Sequence, residues 1–229
     1  MASIISAGTT SGTALNMSGD TTGNLAFQTQ AGTYTQTLPN ATGTILTTAS
    51  AGTTGTSMVL ISSATASSSA TIDFTSISNT SYNSYRLYIT NVVCSTNATN
   101  LLLRMSNAGT FATASYTWQN FRWTTAGTGV AGQGGTATGI ALNATSDPMS
   151  NASLSGGSGA SFVVDICECS NATAYKRVNV QGMYLGSAQL GIVGNGASPS
   201  ISAVDGFRLL MDAGTITSGT FFLYGIKNA

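Results

Sequence analysis

Apolar side chains recur at every second position in many short stretches of this chain, and this alternation constrains the fold more than any other feature. The clearest stretches are residues 85–89, 101–105, 162–166, 178–180 and 207–211. Successive side chains of a β-strand point to opposite faces, so such alternation indicates strands with one buried face. Turn-forming residues separate the stretches, and no amphipathic helix of useful length is visible. The sequence therefore predicts an all-β protein containing an antiparallel β-sandwich of jelly-roll type.

The composition changes near residue 57. Beyond Met1, residues 1–57 contain only ten of the larger apolar residues, and Asp20 is their single charge. Ordering one residue costs about 1–2 kcal/mol of backbone entropy, whereas burying a Leu or Phe side chain yields about 1.5–3 kcal/mol. This segment therefore needs a partner surface, supplied by sister subunits, by a larger assembly or by the rest of the same chain. We predict an extended N-terminal β arm over residues 1–57 and a C-terminal β-sandwich domain over residues 58–229.

The arm is expected to consist of short strands separated by Gly- and Thr-rich turns. Its apolar side chains are the candidate assembly contacts. They are Leu15, Met17, Leu25, Phe27, Tyr34, Leu38, Ile45 and Leu46.

The charge content excludes several classes of partner. Charged residues make up 6% of the chain and the net charge is zero, against a usual charged fraction of about 25%. Nucleic-acid binding relies on clustered Lys and Arg, so no nucleic acid is expected. No apolar run approaches the roughly 18 residues of a membrane-spanning helix, so no membrane insertion is expected. A surface of so few charges favours association of the chain with copies of itself.

The residue types needed for chemistry are scarce. The chain has no histidine, which excludes catalytic triads that use this residue and the commonest zinc sites. The motif Cys167-Glu168-Cys169 is expected to lie on one strand, with both sulfurs on the same face. Its two cysteines and Cys94 are expected to pack as small apolar side chains. The carboxylates show no convincing catalytic pair within one chain, and a pair formed across subunits is the remaining alternative. We therefore expect no enzyme activity, no metal and no cofactor.

Two stretches rich in small residues are expected to be long loops. They are residues 126–161 and residues 186–200, and loops of this length are usually functional or held by a neighbour. The three cysteines are too few and odd in number for a disulfide scaffold, and no secretory signal is apparent at the N-terminus. We expect synthesis in a reducing cytoplasm, or at least a fold that does not depend on oxidation.

One aromatic cluster is a candidate contact surface. It consists of Tyr116, Trp118, Phe121, Arg122 and Trp123. These side chains are predicted either to pack in the core or a subunit interface, or to stack on a sugar ring.

Several segments resemble proteins of tailed bacteriophages. Residues 12–29 and 38–46 are similar to the N-terminal β segments of phage fibre-like proteins. The segments of the C-terminal part that resemble a phage appendage domain are residues 70–74, 85–93, 174–178 and 218–227. The resemblance implies a homotrimeric, β-rich protein of the virion surface, made in the host cytoplasm, with no catalytic residue.

Two positions on such a particle fit the chain. The first is a capsid decoration (cement) protein, whose arm docks on the major capsid protein while the β-sandwich projects outward. The second is a short tail fibre or other tail component that recognises a host surface glycan. The short length favours decoration, because a fibre usually needs a shaft and an adaptor segment. A bacterial surface adhesin is a third interpretation of the composition, although it lacks a secretion signal.

Overall fold

The chain divides into two compact units, Met1–Gly55 and Thr56–Ala229. The computed structural model describes residues 24–29, 32–37, 58–75, 77, 81–124, 127, 129–152 and 159–227. Side chains are described throughout these ranges except in residues 24–29, 32–37 and 130–136.

The described part of the N-terminal unit is a β-hairpin. Strand β1 (Asn24–Thr29) pairs antiparallel with β2 (Gly32–Thr37), and Phe27 lies opposite Tyr34. Short strands were expected at these places, and the hairpin confirms them. The remaining candidate arm residues lie outside the described residues; they are Leu15, Met17, Leu38, Ile45 and Leu46.

The C-terminal unit contains thirteen strands in its described residues. They are β3 (Met58–Ser69), β4 (Thr71–Thr75), β5 (Tyr82–Cys94), β6 (Leu101–Asn107), β7 (Thr110–Phe111), β8 (Tyr116–Thr124), β9 (Gly129–Ala137), β10 (Ile140–Ala141), β11 (Ala160–Cys167), β12 (Arg177–Leu185), β13 (Gln189–Ala197), β14 (Gly206–Met211) and β15 (Ile216–Lys227). One antiparallel sheet has eight strands in the order β3-β15-β5-β11-β12-β13-β8-β9. The other has the order β10-β6-β14-β4, with β7 paired to β6.

The strand pairs are nested along the chain in the manner of a jelly roll. The first strand of the unit pairs with its last, β3 with β15, and the next pair inward is β4 with β14. Further inward, β5 pairs with β11 and β6 with β10. Because successive pairs alternate between the two sheets, a long folded ribbon of chain wraps around one core. The β12–β13 hairpin and the β8–β9 hairpin then extend the larger sheet beyond this framework.

The core side chains are those that the alternation predicts. Tyr85, Leu87 and Ile89 of β5 are fully buried, and they face the layer between the sheets. The corresponding residues of the other stretches are buried as well: Leu101, Leu103, Met105, Phe162, Val164, Ile166, Val178, Val180, Phe207, Leu209 and Met211. The prediction of an all-β antiparallel sandwich is thereby confirmed.

The two predicted long loops were wrong in large part. Residues 126–161 contain β9, β10 and the start of β11, and residues 186–200 contain β13. Glycine lowers strand propensity in isolation, yet β13 is paired along its length on both sides, with β12 and β8. Its glycines also lie against neighbouring strands: a Cβ at Gly194 would be 2.8 Å from Cβ of Asn120. Tertiary pairing therefore overrides the local preference.

No helix long and apolar enough to cross a membrane occurs in the part of the chain that the structure describes.

Candidate binding surface on the eight-stranded sheet

The predicted aromatic cluster does not stay together in the structure, because its members lie on one strand and alternate across it. Tyr116 and Trp118 of β8 face the core, with exposed fractions of 0% and 8%. Phe121 and Trp123 face outward, with exposed fractions of 46% and 39%. Only the outward pair can therefore contact a partner.

Tyr116 is a core residue with a satisfied hydroxyl group. Its Oη accepts a hydrogen bond from the backbone N–H of Met105 at 2.7 Å and lies 3.3 Å from the Met105 carbonyl oxygen. Burial raises the pKa of the Tyr116 phenol above its ordinary value, so this group stays protonated. It ties β8 to β6 across the sandwich.

Arg122 is held by an ion pair on the inner side of β8. Its Nη1 lies 3.3 Å from Oδ2 of Asp147, and the two side chains are 14% and 10% exposed. The same carboxylate accepts hydrogen bonds from the backbone N–H and the hydroxyl group of Ser187 at 2.8 and 2.6 Å. Arg122 therefore anchors the loop that contains Asp147 and does not reach the outer face beside Trp123.

The outer face of the larger sheet carries a largely apolar row, which follows from the register of six strands. Its members are Phe222 of β15, Tyr88 of β5, Val163 of β11, Gln181 of β12, Val193 of β13 and Phe121 of β8. Gln181 is the single polar member. Side chains on one face of paired strands contact their cross-strand neighbours, so this row is a nearly unbroken apolar strip.

Phe121 ends this row and Trp123 lies beside it, and both rings lie against glycine. Gly191 is the cross-strand partner of Trp123, and a Cβ there would be 2.5 Å from indole Cε2. The ring of Phe121 lies similarly against Gly129 of β9. The two ring centroids are 6.5 Å apart and the ring planes are inclined by 30°. We call these two rings, resting on Gly191 and Gly129, the aromatic platform.

An open groove of about 390 Å³ extends from the platform across the sheet. Trp123 and Val193 lie at one end and Tyr88 and Thr90 lie at the other. The distance between β8 and β5 is four strand spacings, or about 19 Å. The residues that line the groove include no charged side chain.

Polar groups border the platform in the form of amides. Asn179, Asn195 and Gln119 occupy part of the next cross-strand row, which continues through the ion pair of Asp165 and Arg86. Gln181 lies in the apolar row itself. All four amide side chains are exposed, and none is hydrogen-bonded to another described residue. Each amide offers both a hydrogen-bond acceptor and donors, so the surface combines flat aromatic area with uncommitted neutral polar groups.

The cysteine motif does not lie on one strand, as the sequence suggested. Strand β11 ends at Cys167, and Glu168 has a left-handed backbone with φ of +66°. Cys169 is consequently fully buried whereas Cys167 is half-buried. Burial raises the pKa of the Cys169 thiol to about 12, so it remains a protonated thiol. The expectation of small apolar packing fits Cys169.

Each described carboxylate is engaged by a nearby donor. Bidentate ion pairs join Asp165 to Arg86 and Asp73 to Arg208. The remaining partners are Arg122 and Ser187 for Asp147, Ser106 and Gly109 for Asp205, Thr99 and Asn100 for Asp212, and Asn171 for Glu168. Among the described residues, no three Cys, Asp or Glu side chains are grouped so that they could hold a metal ion.

Sequence reasoning missed most of this surface. It singled out Phe121 and Trp123, but not Gly191 and Gly129 beneath them or the amide of Gln181. The alternation within 119–123 and 179–183 indicates which side chains share a face. The pairing of β8 with β13, which brings Trp123 over Gly191, is set by tertiary register and leaves no local signal.

The chain matches no family model, no curated protein and no solved structure.

Proposed function

We propose that this protein is a structural, non-enzymatic protein of the surface of a tailed-phage particle, and more specifically a homotrimeric capsid decoration protein. Its C-terminal unit projects from the particle, and its N-terminal unit docks on neighbouring capsid subunits. The observation that carries the proposal is the combination of a self-contained jelly-roll unit with a separate N-terminal unit poor in large apolar residues.

Three further observations support this proposal. Jelly rolls recur in viral capsid and binding domains, where a rigid double sheet presents surfaces without needing catalytic groups. The described carboxylates are committed to structural hydrogen bonds and ion pairs, which leaves them poorly placed as acid–base pairs. The low charge content is compatible with a surface that is covered in an assembly.

Removal of residues 1–55 tests the proposed role of the N-terminal unit. We expect residues 56–229 to keep a β-sheet circular dichroism spectrum, because every core residue that the structure describes belongs to that unit. The truncated chain should no longer be incorporated when it is supplied in trans to particles that lack the protein. The full-length chain supplied in the same way is the control. Equal incorporation of both chains would contradict the docking role.

A short tail fibre is the second candidate, and the exposed aromatic platform favours it. An uncovered aromatic surface suits recognition of a host-cell component more directly than contact with a capsid. The two positions are separated by labelling intact particles with an antibody against residues 56–229. Label around the head supports decoration, whereas label at the tail alone supports the fibre.

A further inference from the structure

We propose that the aromatic platform and its groove form a binding site for a neutral oligosaccharide. The site consists of Phe121 and Trp123 as stacking surfaces, with Gln181 and the neighbouring amides as hydrogen-bonding groups. This inference does not rest on the proposed function, since it concerns one face of the jelly roll wherever the protein is located.

The geometry of the rings suits stacking on a sugar. These two rings lie against the backbone of Gly191 and Gly129, while Phe121 and Trp123 remain 46% and 39% exposed. Their exposed surfaces are inclined by only 30° and are 6.5 Å apart. The face of an aromatic ring is electron-rich and attracts the polarised C–H groups on the flat side of a pyranose.

The charge of the surface determines the class of ligand. Bases of nucleic acids also stack on aromatic rings, but their phosphates need Lys or Arg nearby. The groove has no charged lining residue, and Arg122 is committed to Asp147 on the other side of β8. Arg86 and Asp165 in the next row are paired with each other, and the pair has no net charge. A ligand complementary to this surface is therefore uncharged, which excludes nucleic acids and acidic polysaccharides.

The amides supply the polar half of the recognition. Sugar hydroxyl groups both donate and accept hydrogen bonds, and an exposed carboxamide can satisfy both roles. Gln119 and Asn195 lie next to the platform, and Gln181 lies two strands away in the apolar row. None of the three side chains is hydrogen-bonded to another described residue. The groove crosses four strand spacings and is therefore about 19 Å long. This length accommodates several linked sugar rings rather than one.

Titration of the full-length protein with maltohexaose, cellohexaose and mannohexaose tests the proposal, with a hyaluronan hexasaccharide as the charged comparison. Trp123 is one of only two tryptophans, and the other, Trp118, is buried. We expect at least one neutral oligosaccharide to change the tryptophan emission and to release heat in calorimetry. The hyaluronan oligosaccharide should do neither.

Variants identify the surface that binds. Trp123→Ala should weaken the affinity by about tenfold or more, as truncation of a central aromatic contact does. Gly191→Ala should also weaken it, because the added Cβ must displace the indole. Tyr175→Ala is the matched control, since Tyr175 is an aromatic side chain with 55% exposure outside the groove, and it should leave the affinity unchanged.

Three results would overturn the proposal. The first is an absence of binding to all three neutral oligosaccharides by the folded wild-type protein. The second is binding that Trp123→Ala and Gly191→Ala leave intact. The third is a wild-type protein that binds no sugar, combined with variants whose sedimentation mass differs from that of the wild type. This result would assign the face to an interface between copies of the chain. If Trp123→Ala does not fold, Phe121→Ala replaces it in the same comparison.

Discussion

At the scale of single residues, the least expected feature is a buried ammonium group. Lys176 has no exposed surface. Its Nζ donates hydrogen bonds to the carbonyl oxygens of Ala174 at 2.8 Å, Ile201 at 2.7 Å and Asn171. A buried charge is tolerated only where hydrogen bonds replace its hydration. Lys176 thus joins the loop before β12 to the loop before β14.

Replacement of Lys176 by methionine should lower the free energy of unfolding by about 2–4 kcal/mol. The variant keeps the length of the side chain but leaves three carbonyl oxygens without a donor in a place that water does not reach. Urea denaturation followed by circular dichroism measures the loss. Arg177→Met, at an exposed position of β12, is the control. Equal stability of the two variants would contradict a structural role of Lys176.

Asp212 is expected to make stability depend on pH at the acid end. Burial alone would raise the pKa of this carboxyl, but hydrogen bonds from the Thr99 hydroxyl, the Asn100 backbone N–H and the Asn100 amide outweigh burial and hold the pKa below its ordinary value. A group with a lowered pKa in the folded state stabilises the protein above its unfolded pKa of about 3.9 and loses that contribution as the pH falls further.

The stability difference between wild type and Asp212→Asn should therefore be largest above about pH 4 and should shrink as the pH is lowered through the folded-state pKa. Urea titrations at a series of pH values measure this difference. A difference that stays constant down to the acid limit would show that Asp212 does not contribute through its charge.

At the scale of the elements, β14 is the central strand of the smaller sheet. It pairs with β6 on one side and β4 on the other. Phe207 of β14 is fully buried, and its ring lies 5.4 Å from that of Tyr85 on β5 in an edge-to-face arrangement. This contact joins the two sheets at the centre of the core.

The substitution Phe207→Ala should destabilise the protein by about 3–5 kcal/mol, since it removes a large buried ring and leaves a cavity. Leu60→Ala is the comparison, because Leu60 on β3 is 51% exposed, and it should cost less than about 0.5 kcal/mol. Thermal and urea unfolding measure both losses. Similar losses in the two variants would mean that the sandwich core is not centred on this contact.

The sequence predicted the elements well wherever the alternation is regular. The prediction of strands failed where a backbone irregularity interrupts the alternation of apolar residues or where glycines hide it. In β5 the buried positions shift from Ile89 to Val92, because Asn91 adopts a left-handed backbone with φ of +55° and the ladder is irregular there. In β13 the glycines removed the apolar signal on which strand prediction depends.

The candidate site was predictable only in part, because alternation reports on single strands and not on which strands become neighbours. Phe121 and Trp123 are recognisable as a pair on one strand face, because side chains two positions apart point the same way. The contact of Trp123 with Gly191 arises between strands that are more than sixty positions apart in the chain. Such a contact depends on which strands become neighbours, and alternation within one strand does not specify that.

At the scale of the whole molecule, the chain is expected to function as an assembly. We predict a sedimentation mass of three times the 23.1 kDa of the chain at micromolar concentration, because the N-terminal unit needs partner surface and the charge content is low. Sedimentation equilibrium of the full-length protein measures this directly. A mass of one chain, with residues 1–55 already protected from hydrogen exchange, would contradict the argument for association.

The most direct test of the proposed virion role is the location of the protein on intact particles of a tailed phage that carries its gene. Immunogold labelling with an antibody against residues 56–229, combined with mass spectrometry of purified particles, locates and counts the chains. We predict label on the outside of the particle and a copy number divisible by three. Absence of the chain from purified particles, despite its synthesis in infected cells, would contradict the account.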